Sequence, residues 1–145
     1  MGMFQIFDVA GQGMSAQTVR LNTTASNMAN ASSVSSSIDK TYRARNPVFA
    51  TVLNNETEAD VAFDDSDYQS AGVQVLGIVE SNKALQTKYE PEHPIANEEG
   101  YIFLPNVNMM HEMANMISAS RTYQMNVQIM NTTKQLMQET IRLGR

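Results

Sequence analysis

Large and small side chains alternate along the first thirty residues with the period of a coiled coil. Alternating steps of four and three residues meet Phe7, Gly11, Met14, Thr18, Leu21, Ala25 and Met28. The large residues recur every seven positions and the positions between them are small, which is typical of a seam that a second helix approaches closely. The pattern predicts a helix over about residues 4–30.

The same period returns in the last third of the chain. Its positions are Met109, Met113, Met116, Ser120, Tyr123, Val127, Met130, Lys134, Met137 and Ile141. A neighbouring stripe comprises Met110, Ala114, Ile117, Ile129, Leu136 and Leu143. Pro105 ends the preceding segment, and either Asn106 or Asn108 can cap the helix. We therefore expect a helix over about residues 108–143, and its wide apolar face indicates contact with more than one neighbour.

Between the helices, shorter apolar runs predict a β-rich insert. The expected strands are Tyr42–Leu53, Val61–Phe63, Val73–Val79 and Tyr101–Leu104. The fold class is thus mainly α, with long N- and C-terminal helices pairing as a coiled coil around a small β-rich insert. The chain divides into an N-terminal helix at 1–31, the insert at 32–106 and a C-terminal helix at 107–145. The insert has few large apolar residues and can form only a marginal core. We therefore expect it to pack on a neighbour.

Charge is distributed unevenly along the chain. Residues 46–112 carry a net charge of −10, whereas residues 1–45 carry +2 and residues 113–145 carry +3. The chain has no basic cluster and its isoelectric point is about 4.9, which excludes a nucleic-acid partner. The helices carry amides such as Asn27 and Asn30 where a solvated helix would carry Lys and Glu. Amides form hydrogen bonds across an interface at a lower desolvation cost than charges, so the helices are predicted to be interface elements.

Catalytic chemistry is missing from the sequence. The chain has no Cys, and His93 and His111 occur in unrelated contexts. The acidic cluster from Asp60 to Asp67 lacks the Gly and Glu of a calcium loop. We expect no enzymatic activity, no cofactor, no metal and no small-molecule substrate. The N-terminus has neither the basic start nor the apolar core of a cleavable signal peptide.

Several short motifs carry a resemblance to a known family. At the N-terminus they are Phe7–Gly11 (FDVAG) and Ala25–Ala31 (ASNMANA); in the insert, Tyr42–Ala44, His93–Pro94, Gly100–Tyr101 and Pro105–Asn108 (PNVN); near the C-terminus, Arg121, Tyr123, Asn126 and Leu143–Arg145. Together they resemble the flagellar rod and hook axial family over nearly the whole chain. The His-Pro loop, the PNVN run and the short insert are similar to a proximal rod protein.

The resemblance implies a structural subunit of the bacterial flagellar basal-body rod, which forms a torque-transmitting drive shaft in the periplasm. Such subunits leave the cell through the flagellar type III export apparatus without a cleaved signal. They assemble helically with copies of themselves and with FlgB, FlgF, FlgG and FliE. The alternatives are another rod protein such as FlgB, or a coiled-coil adaptor or binding module. An adaptor would carry charges at the flanking heptad positions, and such charges are sparse here.

The expected assembly interface combines the two seams with two of the amides. It comprises Phe7, Gly11, Met14, Thr18, Leu21, Ala25, Asn27, Met28 and Asn30 in the first helix, and Met109, Met113, Met116, Tyr123, Val127, Met130, Met137 and Ile141 in the second.

Overall fold

Four strands lie between two long helices along the chain in the computed structural model, which describes residues 3–53 and 70–143. Its elements are α1 (Met3–Asn30), a 3₁₀ turn (Ile38–Lys40), β1 (Arg45–Leu53), β2 (Ser70–Glu80), β3 (Gln86–Tyr89), β4 (Tyr101–Leu104) and α2 (Met109–Leu143). The prediction of terminal helices around a small β insert is confirmed. The predicted strand Val61–Phe63 and the acidic cluster from Asp60 to Asp67 lie outside the described residues.

The two helices pack against each other in antiparallel orientation. Gly13 lies against Asn126, and Asn27 lies against Glu112. Residues nearer the start of α1 therefore lie opposite residues nearer the end of α2. This register places Met3, the first residue of α1, opposite Leu136. The residues of α2 beyond Leu136 therefore extend past the start of α1.

The cap of α2 is Asn108. Its Oδ1 accepts a hydrogen bond from the backbone N–H of His111 at 3.1 Å, which satisfies one of the free donors of the first turn. Asn106, the other candidate, joins the insert instead. Its Oδ1 accepts from the backbone N–H of Ala44 at 2.8 Å and its Nδ2 donates to the carbonyl of Lys83 at 2.8 Å. Asn106 thus ties the segment before α2 to the residues that flank β1 and β2, while Asn108 caps the helix.

The strands form two separate antiparallel pairs. β1 pairs with β2 from Arg45 opposite Glu80 to Leu53 opposite Ser70, with bulges after Val48 and Val52. β3 pairs with β4, which occupies the predicted Tyr101–Leu104. β1 begins three residues later than predicted, because the side chain of Tyr42 and the backbone N–H of Ala44 are engaged by asparagines from the helices and their flanks.

A glutamine on α1 anchors the ribbon formed by β1 and β2. The Gln12 Oε1 accepts a hydrogen bond from the backbone N–H of Val73 at 3.1 Å. Gly72 leaves room for that bond, since a Cβ at this position would lie 1.9 Å from Gln12 Oε1. The amide side chain therefore reaches the strand only because residue 72 has no side chain.

Replacing Gly72 with alanine should consequently loosen the ribbon from α1. We expect the Gly72→Ala variant to lose the Gln12–Val73 bond and to exchange the Val73 amide hydrogen faster, measured by hydrogen exchange of the isolated chain. Gly77→Ala is the matched control on the same strand, because a Cβ there meets nothing within 4 Å. Equal exchange rates in both variants would show that Gln12 does not hold the ribbon.

Candidate assembly surface

Small and polar side chains, not large apolar ones, fill the contact between the two helices. The buried residues of α1 are Ala10, Ala16, Thr23, Thr24 and Asn27, and those of α2 are Glu112, Ala119 and Thr133. At Gly13, an added Cβ would lie 2.7 Å from the Nδ2 of Asn126. Helices that meet through small residues come close together and leave their large side chains at the margins or on the outside.

The predicted seam of α1 lies beside this contact. The buried Ala10, Thr24 and Asn27 precede the predicted Gly11, Ala25 and Met28 by one residue, which is about 100° around a helix. The other seam positions are at most half-buried: Phe7, Met14 and Leu21 are partly covered and Thr18 is exposed. A Cβ added at Gly11 meets nothing within 4 Å. This face of α1 is therefore left open within the chain.

The predicted seam of α2 is divided between the inner contact and the surface. Met116, Val127, Met130 and Met137 are half-buried. The remaining positions are exposed: Met109, Met113, Tyr123 and Ile141. The structure thus brings some of the predicted residues to the margin of the helix pair and leaves others without cover.

The face of α2 opposite the inner contact carries large apolar residues in the open. We call it the outer stripe, and it comprises Met110, Ile117, Met125, Ile129, Leu136 and Leu143. Met110 is 78% exposed and Leu143 is 86% exposed. A row of exposed large apolar residues along one face of a subunit marks a surface that another protein covers. Except for Met125, these residues belong to the stripe that the sequence predicted beside the seam of α2.

The two predicted asparagines have different surroundings. Asn27 is 1% exposed and makes four hydrogen bonds inside the chain. Its Oδ1 accepts from the Tyr42 hydroxyl at 2.8 Å and the Arg45 N–H at 2.9 Å, and its Nδ2 donates to the Arg45 carbonyl at 2.8 Å and Glu112 Oε2 at 3.2 Å. Among the residues that the structure describes, the Nδ2 of Asn30 donates within α1, to the carbonyl of Ser26 at 2.8 Å.

The contacts of Asn27 make it the junction of the subunit. Its side chain pairs with both backbone groups of Arg45 as a neighbouring strand would, and it is also the hydrogen-bond donor to the buried carboxylate of Glu112. The guanidinium of Arg45 in turn lies 5.5 Å from the centre of the Tyr42 ring. One amide therefore fixes α1, the start of β1 and the first turn of α2 relative to one another.

Polar groups do not converge into a reactive site in the part of the chain that the structure describes. No group of three His, Asp or Glu side chains within 3–53 and 70–143 is placed to hold a metal ion. No helix among these residues is long and apolar enough to cross a membrane. His93 Nδ1 accepts a hydrogen bond from the backbone N–H of Ile95 at 3.2 Å, and His111 lies in the first turn of α2.

Comparison with known proteins places the chain in a family. A family model described as flagella basal body rod protein matches residues 7–35, and one described as the C-terminal part of flagellar basal body rod FlgEFG proteins matches residues 98–143. The flagellar basal-body rod protein FlgC of Yersinia enterocolitica is 42% identical over 99% of both chains, and that of Salmonella typhimurium is 40% identical over the same share. The chain belongs to the FlgC family of flagellar basal-body rod proteins.

As a FlgC-family member, the chain is a structural subunit of the bacterial flagellar basal-body rod. The family also includes the FlgC of Borreliella burgdorferi, which is 33% identical over 97% of both chains. The two family models cover α1 and α2, the elements that carry the open apolar faces. Membership in the FlgC family implies assembly with other rod and basal-body proteins.

Proposed function

We propose that this chain builds the torque-transmitting rod by packing the open faces of α1 and α2 against the helices of neighbouring subunits. The observation that supports this best is the outer stripe of α2, since large apolar residues lie exposed on one side while small and polar residues fill the other. Covering each such side chain is worth about 1.5–3 kcal/mol. The predicted seam of α1, from Phe7 to Met28, and the exposed seam positions of α2 complete the interface.

The arrangement of these faces favours a filament. The faces of α1 and α2 are different surfaces on one subunit, so a contact between them is heterologous, and a heterologous contact builds an open filament when its rotation does not close into a ring. We propose that α1 and α2 pair as a coiled coil in the assembled rod. Residues 1–31 and 107–145 then form the axial core, and residues 32–106 pack on a neighbour. Close packing along the axis suits a shaft that transmits torque.

The neighbours that we propose are copies of this chain together with FlgB, FlgF, FlgG and FliE. Assembly takes place in the periplasm after passage through the flagellar export apparatus, without a cleaved signal peptide. We propose no enzymatic activity, cofactor, nucleic-acid partner or small-molecule substrate. The acidic middle of the chain and the low isoelectric point support this for nucleic acids.

Substitution of two glycines on α1 separates assembly from folding. Gly11→Leu should abolish rod assembly, because overpacking an interface costs about 1–3 kcal/mol at every subunit. In the isolated chain a Cβ at Gly11 meets nothing within 4 Å, so helix content by circular dichroism should not fall. Gly13→Leu should lower helix content, since its side chain would collide with Asn126 inside the subunit.

Phe7→Leu is the mild control for this experiment, because it keeps an apolar side chain at a seam position. Basal bodies with complete rods are counted for each variant, and export into the periplasm is measured separately. Normal rods from Gly11→Leu would show that the predicted seam of α1 does not face a neighbour.

A further inference from the structure

Every sulfur atom of the chain belongs to a methionine, since the sequence has 11 Met and no Cys. Seven of these methionines lie on α2: Met109, Met110, Met113, Met116, Met125, Met130 and Met137. A thioether is soft and polarisable, and oxidation by a peroxide converts it to a polar sulfoxide. Most of the sulfur that an oxidant can attack in this chain is therefore on α2.

Solvent reaches the methionines of α2 to very different extents. Met110 is 78% exposed, whereas its neighbours Met109 and Met113 are 40% and 46% exposed. Met116, one of the next methionines along the helix, is half-buried. Because an oxidant approaches the sulfur from solvent, we expect Met110 to react before Met116.

Met110 lies on the side of α2 that faces away from the inner contact. It precedes Glu112 by two residues, which is about 200° around a helix. Glu112 is buried and accepts a hydrogen bond from Asn27 at 3.2 Å. The cap of the same turn joins Asn108 Oδ1 to the backbone N–H of His111 and does not involve the Met110 side chain. An oxygen atom added to the Met110 sulfur therefore leaves the junction and the cap intact.

The side chains that share the face of Met110 are apolar. Met113, Ala114 and Ile117 follow it by three, four and seven residues, so they lie along the same side of the helix. None of these side chains carries a strong hydrogen-bond donor. A sulfoxide oxygen at Met110 loses its water when a neighbouring subunit covers this face, and the face offers no hydrogen bond in return. Burial of such an unpaired polar group is unfavourable.

We propose that Met110 is an oxidation site that regulates assembly: its sulfoxide keeps the outer stripe from packing on a neighbour while the subunit stays folded. The proposal rests on the proposed packing of the outer stripe and adds its regulation. Hydrogen peroxide is the oxidant. The Met110 sulfur attacks one peroxide oxygen, an S–O bond forms and the O–O bond breaks. The sulfur is oxidised by two electrons, and the departing hydroxide takes up the proton of the transferred oxygen to give water.

Peptide mapping of the isolated chain tests the site. One tryptic peptide, residues 89–121, contains Met109, Met110, Met113 and Met116, so tandem mass spectrometry compares their oxidation within a single molecule. After treatment with hydrogen peroxide, we expect the sulfoxide of Met110 to form about fivefold faster than that of the half-buried Met116. Helix content by circular dichroism should stay unchanged. Equal rates at the two residues, or unfolding as Met110 is oxidised, would overturn the proposal.

A glutamine in place of Met110 tests the effect on assembly, because its amide provides a polar group of similar reach to the sulfoxide. We expect Met110→Gln to reduce the number of complete rods about tenfold relative to His111→Gln, which places the same side chain at an exposed position beside the outer stripe. Met110→Leu, which keeps an apolar side chain, should give about fivefold more rods than Met110→Gln. Helix content and export are measured for all three variants.

Oxidation of purified basal bodies separates this proposal from the packing on which it rests. We expect Met110 to react about tenfold more slowly there than in the isolated chain, because a neighbour covers it. If Met110 is protected but Met110→Gln still gives normal rods, the regulation is wrong while the packing stands. If Met110 reacts equally fast in basal bodies and in the isolated chain, no neighbour covers it, and the proposed packing of the outer stripe is wrong as well.

Discussion

Replacing Asn27 with alanine should destabilise the subunit more than any other single substitution of an amide. The variant leaves both backbone groups of Arg45 and the buried carboxylate of Glu112 without their partner. An unpaired buried polar group costs about 1–3 kcal/mol, so we expect the free energy of unfolding to fall by about 3–5 kcal/mol. Urea unfolding of the isolated chain, followed by circular dichroism, measures the change.

Asn30→Ala is the matched control, three residues along the same helix. Its Nδ2 bonds only to the carbonyl of Ser26 in its own helix, so we expect a loss below about 1 kcal/mol. Rod assembly should fail in the Asn27 variant, because the subunit no longer holds α1, β1 and α2 together. Similar losses of stability in both would mean that Asn27 does not act as the junction of α1, β1 and α2.

Ending the chain after Leu136 should abolish rod assembly while leaving the isolated subunit folded. The helix register places the missing residues beyond the start of α1, so the inner contact stays almost complete. The neighbours lose the exposed Ile141 and Leu143, each worth about 1.5–3 kcal/mol when covered. Basal-body counts and swimming in soft agar measure assembly, and the unfolding midpoint of the isolated chain measures folding.

The control for the truncation is a substitution of a polar residue within the removed segment. It shows whether the loss of rods comes from the missing apolar side chains or from any change in this part of the helix. Gln138→Ala removes an exposed polar side chain and keeps the helix, so its rods should form normally. Export of the truncated chain is measured in parallel, since a chain that never leaves the cytoplasm also gives no rods. Swimming cells that carry only the truncated chain would refute the proposed role of the residues after Leu136.

Sequence patterns predicted the helices closely but not their mutual contact. The heptad spacing and the two candidate caps, Asn106 and Asn108, predicted both helices to within one residue at either end. The same spacing does not tell whether a large residue meets a helix of its own chain or of a neighbour. Here Ala10, Gly13 and Ala119 lie in the contact between α1 and α2 of one chain. The Met and Phe residues of the seams are therefore left for contacts with neighbouring subunits.

The junction and the third strand were missed for different physical reasons. Asn27 was predicted to lie on an interface, but the groups that bury it come from Tyr42, Arg45 and Glu112, up to 85 residues away in sequence. Tyr42–Ala44 stood out as the start of a predicted strand and through the family resemblance, but not as partners of a helix residue. β3 (Gln86–Tyr89) was not predicted because it is exposed throughout and shows no alternation of apolar and polar residues.

An electron cryomicroscopy map of rods assembled from this chain tests the central claim most directly. We expect helices of neighbouring subunits to cover the outer stripe, from Met110 to Leu143, and the open face of α1 around Gly11. The Asn27 junction should persist inside each subunit. A map in which the outer stripe faces open solvent or the central channel, with neighbours packed only through the insert, would contradict the account.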